Sequence, residues 1–152
     1  MMALLLAAAL PMLLPATTPP PAGARTVVMI TVDDLRPQLH AAYGMEEMQT
    51  PSIDALAASG LTFLRAFVQM AVCAPSRNSF MTGRRPDATR CWNFNSNFRL
   101  SGSPKPDGTP WRTLPQWFLE NGFLTVSAGK MWHDGPPGQP KDNDYPSSWS
   151  EP

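Results

Sequence analysis

Two short apolar runs limit the folds open to this chain. Thr26 to Val32 is nearly continuous in apolar and β-branched residues and stops at Asp33-Asp34. Phe123 to Ala128 repeats the pattern and stops at Gly129-Lys130. A strand that is apolar on both faces belongs inside a sheet covered by helices, so each run predicts a buried parallel strand. Leu61 to Val68 reads as a third, shorter one. Helical segments alternate with these runs. Thr50-Pro51-Ser52-Ile53-Asp54 opens a helix with Thr50 or Ser52 as cap, Ile53, Leu56 and Ala57 at helical spacing, and Gly60 as the stop. Pro75 to Met81 predicts the first turns of another helix, ended by Gly83. Thr113 to Asn121 predicts a third, with Leu114, Trp117 and Phe118 on one face and Gly122 at its end. This order implies an α/β architecture, a largely parallel mixed sheet flanked by helices, with polar residues gathered at the strand ends. Residues 84 to 112 read as a long polar connection, and after Trp132 the chain reads as a Gly-, Pro-, Asp- and Ser-rich tail.

The N-terminus stands apart from that scheme. Met2 to Leu14 is apolar but too short to span a bilayer, which takes about 20 residues. A Thr/Pro-rich stretch and Ala22-Gly23-Ala24 follow, so residues 1–24 read as a secretory signal peptide and 25–152 as the mature portion. No Lys or Arg precedes the run, which leaves an uncleaved anchor as the other reading. A signal peptide places the mature portion in the secretory route (lysosome or exterior) or in a bacterial periplasm, with no stable membrane insertion after cleavage. No N-x-S/T sequon occurs. The 152 residues carry 12 basic and 12 acidic side chains, net charge zero. That balance offers nothing to a nucleic acid. Hydrophobic residues at 43% against 16% charged suit a folded chain. The arginines between Arg84 and Arg112, Arg90 among them, are candidates for contact with a polyanionic glycan.

Several residues can carry chemistry. Adjacent side chains on a strand point to opposite faces, so Asp33 and Asp34 can share one ion only if the chain turns there. Their oxygens suit a hard cation such as Ca²⁺ or Mg²⁺. Read alone, the pair is equally a helix cap or a solvated turn. Lys130 and His133 follow a strand end, where a cation can hold an anionic oxygen and an imidazole can donate a proton. Read alone, they are more simply a surface lysine and a loop histidine. Cys73 and Cys91 are the two cysteines, and in an oxidising compartment their pairing is the plain expectation.

The string Cys73-Ala74-Pro75-Ser76-Arg77, closed by Thr82-Gly83-Arg84, is similar to the C-x-P-S-R signature of the sulfatases. Val32-Asp33-Asp34-Leu35-Arg36-Pro37, Thr50-Pro51-Ser52-Ile53-Asp54 and Phe94-Asn95-Ser96 extend the resemblance. The two residues between Lys130 and His133 match the iduronate type within the family, where many arylsulfatases have one. The resemblance implies the alkaline-phosphatase-like sulfatase fold and hydrolysis of sulfate monoesters, with a sugar such as 2-sulfated iduronate as substrate. It implies that a formylglycine-generating enzyme oxidises Cys73 to formylglycine, whose hydrate attacks sulfur and then expels sulfate as the aldehyde re-forms. Asp33, Asp34 and modified Cys73 would coordinate Ca²⁺, Arg77 would stabilise the hydrate, and Lys130 and His133 would contact the sulfate. A disulfide with Cys91 would consume that precursor. Other readings are a sulfatase for aryl or choline sulfate, a phosphonate monoester hydrolase, or a non-catalytic secreted fragment with a Cys73–Cys91 disulfide. Sulfatases are several times longer and draw further metal ligands from distant segments, and Asp142 and Asp144 lie in the tail. The expectation is therefore a truncated N-terminal part of the catalytic domain, inactive by itself.

Overall fold

The structure is a computed structural model, and it describes residues 22–23, 26–99, 105, 108–133 and 144–150. The proposed signal segment lies almost entirely outside these residues, as does Asp142. Five helices occur among the described residues: α1 (His40–Tyr43), α2 (Pro51–Ser59), α3 (Cys73–Thr82), α4 (Pro86–Thr89) and α5 (Leu114–Glu120). None is long and apolar enough to cross a membrane.

Three of these helices follow the punctuation of the sequence. α5 starts at a full capping box: Thr113 accepts from the Gln116 backbone N–H, and the Gln116 side chain accepts from the Thr113 N–H. α3 ends at Gly83 in the left-handed region (φ 65°), where a residue without Cβ is least strained. It begins two residues before Pro75, so that Cys73 is its first residue. α2 keeps its expected span, but Thr50 does not cap it. The Thr50 hydroxyl instead accepts from the His40 N–H (3.1 Å) and donates to Asp54 (3.2 Å), while Asp54 also accepts from the Ala41 N–H (3.0 Å). Polar side chains at the start of α2 thus satisfy two of the open N-terminal donors of α1. Gly60 adopts no left-handed conformation; its φ is −131°.

The sheet is where the structure departs from expectation. No hydrogen-bonded strand occurs among the described residues, and 26–32, 61–68 and 123–128 run without ladder partners. Their apolar side chains stay in the open, Ile30 at 78% exposure, Phe67 at 81% and Leu124 at 74%. The cause is physical. Burying an apolar strand takes a neighbour about 4.8 Å away in the sheet and a layer on its face, and the described residues supply neither. The stretches 26–31 and 122–126 instead border an apolar groove of about 620 Å³, floored by Phe80, Met81, Phe118 and Trp149.

The core sits elsewhere, in Met81, Cys91, Phe98, Trp132 and Trp149, with Trp111 and Met131 packed on it. Two regions read as polar connection and tail therefore supply much of the buried surface. Residues 84–99 contain α4 and bury Thr89, Cys91, Asn97 and Phe98. Residues 144–150 return to the core rather than trailing away. Ser150 donates its N–H to the Thr125 carbonyl (2.9 Å), and Ser148 and Trp149 are buried. Asp144 is held by Arg99, Nε to Oδ1 at 2.9 Å and Nη2 to Oδ2 at 2.7 Å. Nη2 of Arg99 also reaches Gln116 (2.8 Å), and Nη1 reaches the Trp111 carbonyl (3.0 Å). This network ties the tail to the start of α5.

α3 is the most buried helix although its sequence is polar. Asn78, Ser79 and Thr82 each donate to the carbonyl four residues back, Ala74 (2.8 Å), Pro75 (2.8 Å) and Asn78 (2.6 Å). Donors satisfied within their own helix can enter the interior at little cost. That is how Cys73 and Arg77 come to be fixed on a rigid element.

Candidate functional site

At the end of the first apolar run the chain turns, with Asp34 at φ 55°. The left-handed region is one that Asp tolerates better than most residues. This turn brings both carboxylates to the N-terminus of α3. One ligand atom each from Asp33, Asp34 and Cys73 lie within 4.8 Å of one another. The Cys73 thiol stands 4.0 Å from Asp34 Oδ1.

Asp33 is gripped from two sides. Arg77 Nη2 donates to Oδ1 at 2.8 Å and Lys130 Nζ donates to Oδ2 at 2.7 Å. The Lys130 hydrogen bond, and then that from Arg77, hold the Asp33 carboxyl well below the usual carboxylate range, at about 2. Asp33 is ionised at any physiological pH. The Arg77 side chain is only 6% exposed. Its other terminal nitrogen donates to the backbone carbonyls of Lys130 and Met131, the latter at 3.3 Å. One guanidinium therefore joins the turn at 33–34, helix α3 and the segment that follows the second apolar run. Five of the six sequence-derived candidates, Asp33, Asp34, Cys73, Arg77 and Lys130, meet here.

His133 is the sixth, and no hydrogen bond joins it to the other five among the described residues. Its ring packs on Phe94, centroids 4.5 Å apart at 54°, and its Nδ1 is closed off from solvent without a hydrogen-bond partner. Phe94 is a contact that the sequence reading passes over; it lay inside a matched string, but no role came with it. Cys73 and Cys91 are both free thiols, Cys73 at the site and Cys91 in the core cluster. The disulfide expected of two cysteines in an oxidising compartment is absent. Burial raises the Cys91 thiol above its ordinary pKa, leaving it a packing residue.

The donor set suits a hard cation with one reservation. Ca²⁺ takes oxygens at about 2.3–2.6 Å, so donors across it stand about 5 Å apart, close to the spacing found. The thiol sulfur is the misfit, because soft sulfur is a poor ligand for calcium. An oxygen in its place would complete three hard donors.

Comparisons with known proteins supply the family. The family model described as Sulfatase matches residues 25–145. The chain is 49% identical over 130 residues to iduronate 2-sulfatase of Mus musculus, covering 85% of the chain and 22% of that protein. The figures for iduronate 2-sulfatase of Homo sapiens are 49% over 129 residues, 85% and 22%. A sulfatase of Formosa agariphila is 32% identical over 111 residues, covering 73% of the chain and 22% of its own length. The chain thus spans about a fifth of the curated relatives it matches. With a family model matched across residues 25–145 and relatives at 49% identity, the chain belongs to the sulfatase family.

Proposed function

We propose that the protein carrying this sequence is a sulfuric ester hydrolase that removes sulfate from a sugar of the 2-sulfated iduronate kind. The observation that carries this is the meeting of Asp33, Asp34 and Cys73 within 4.8 Å, with Arg77 and Lys130 on Asp33. The similarity to the mouse and human iduronate 2-sulfatases, and the two residues between Lys130 and His133, favour that substrate class. Family membership implies an alkaline-phosphatase-like α/β fold, in which 26–32 and 123–128 would be strands.

Asp33 and Asp34 would hold Ca²⁺, together with an oxygen at position 73. Calcium would supply a fixed positive charge against sulfate oxygens. Formylglycine, made from Cys73 by a formylglycine-generating enzyme, would supply the hydrated aldehyde as an oxygen nucleophile. The two carboxylates and the two cations cancel in charge, so a bound divalent ion would give the site the net positive charge that suits a sulfate monoester. Arg77, fixed by three acceptors, holds Asp33 and the 130–131 backbone in place. Lys130, 36% exposed, is free to turn from Asp33 towards an incoming anion. His133 would give a proton to the leaving alcohol. The apolar run at the N-terminus supports the secretory route or a periplasm as the compartment.

The test joins mass and turnover. The tryptic peptide containing Cys73 should carry the aldehyde, and sulfate release from a 2-sulfated iduronate oligosaccharide should vanish in Cys73→Ala. An unmodified Cys73 in protein that still turns over would overturn the proposal. Release from aryl sulfate alone would move the substrate class and leave the reaction standing.

A further inference from the structure

The segment from Cys91 to Arg99 is held against the chain around His133 by two ring contacts. Phe98 packs on Trp132, centroids 5.0 Å apart at 31°, and Phe94 packs on His133. Phe98 and Trp132 are each 1% exposed, so this pair anchors both backbones in the core. Phe94, four residues before Phe98, and His133, one residue after Trp132, extend the zipper to the open side, where Phe94 is 37% exposed. A working histidine is commonly oriented by a hydrogen bond to its other ring nitrogen. Nδ1 of His133 is buried and has no such bond among the described residues. What touches the imidazole instead is an aromatic ring on an anchored segment.

We infer that Phe94 is a positioning residue for His133, setting the imidazole by ring packing where a polar partner would ordinarily do so. The inference rests on the proposed role of His133 in sulfate ester hydrolysis. Aromatic pairs at this separation favour one ring placement by about two- to twelvefold beyond area burial. Misplacing a proton donor by a fraction of an ångström costs rate more than affinity.

One arm of the test needs no turnover. The chain has two histidines, His133 and His40, and His40 lies on α1 beside Asp54, Nδ1 to Oδ2 at 3.4 Å. Diethyl pyrocarbonate modification, read peptide by peptide, should accelerate several-fold at His133 in Phe94→Ala, stay at the wild-type rate in Phe94→Tyr, and leave His40 unchanged as the check that the fold is intact. Phe94→Leu replaces Phe94→Ala if that variant does not fold. Equal His133 rates in all variants overturn the inference. The second arm is kinetic. Phe94→Ala should lower kcat about tenfold at nearly constant KM, with Phe94→Tyr restoring it, and should cost nothing further in a His133→Ala background. A full second tenfold loss in that background means that Phe94 acts otherwise, and overturns it. Full-length protein carrying this sequence that releases no sulfate refutes the proposed function, and the modification arm then decides the packing alone.

Discussion

Removing the Asp144 carboxylate should be among the most costly polar substitutions in this chain. Asp144 and Arg99 have side chains 6% and 15% exposed and share two hydrogen bonds at 2.7 and 2.9 Å. Deleting one partner of a buried pair strands the other charge, and such deletions cost about 3–5 kcal/mol. Arg99 keeps some solvent contact and two further acceptors, which puts Asp144→Ala at the lower end, about 3 kcal/mol. With a urea slope of about 1–3 kcal/mol per M, the midpoint falls by about 1–3 M. The internal control is the Arg112–Glu120 pair, also 2.7 Å apart but with side chains 56% and 38% exposed. Glu120→Ala should cost below about 1 kcal/mol. Urea titrations followed by tryptophan fluorescence report both, because Trp149 and Trp111 flank the network. Equal losses for the two substitutions would refute the reasoning, since the shortest distance is shared while burial and the second hydrogen bond are not. The double substitution Arg99→Met with Asp144→Leu should recover much of the loss.

Two further outcomes follow from named contacts. Asp33 sits below its unfolded value of 3.8 at about 2, so its ionised form favours the folded arrangement above pH 3.8, and that contribution fades as pH falls towards 2. A carboxyl-carbon NMR titration should place the Asp33 midpoint near 2, and Lys130→Met should move it upward; an unmoved midpoint would show that Lys130 is not the main cause. Thr113→Val removes the oxygen that accepts from Gln116 N–H (3.1 Å) and pairs with the buried Ser148 hydroxyl (2.6 Å). It should cost about 1–2 kcal/mol in urea unfolding, with Thr113→Ser close to wild type.

The site was more legible in the sequence than the packing was. Cys73, Arg77, Asp33, Asp34 and Lys130 belong to short strings whose spacing carries chemistry, and all five converge. Helix ends were legible where one residue decides them, as at Gly83 and Thr113. Burial was harder to read. Ile30 and Leu124 look interior by composition, but an apolar run is buried only by what covers it, and here both stay open. Cys91 and Phe98 were missed for the opposite reason, being single apolar residues in a polar stretch with no period to mark them. Asp144 and Arg99 are 45 residues apart, and nothing local predicts that they pair.

The clamp on Asp33 has a bearing on the order of folding. Arg77 reaches Asp33 across 44 residues and the Lys130 carbonyl across 53, while Lys130 reaches Asp33 across 97. Each doubling of a loop adds only about 0.6 kcal/mol to its closure, so once Arg77 has drawn in both ends the longest link adds little more. Neither the turn at Asp34 nor α3 makes the cluster by local structure alone. A chain with its helices formed but one crossing unmade would lack the cluster, so charge convergence at Asp33 is a signal of completed tertiary assembly.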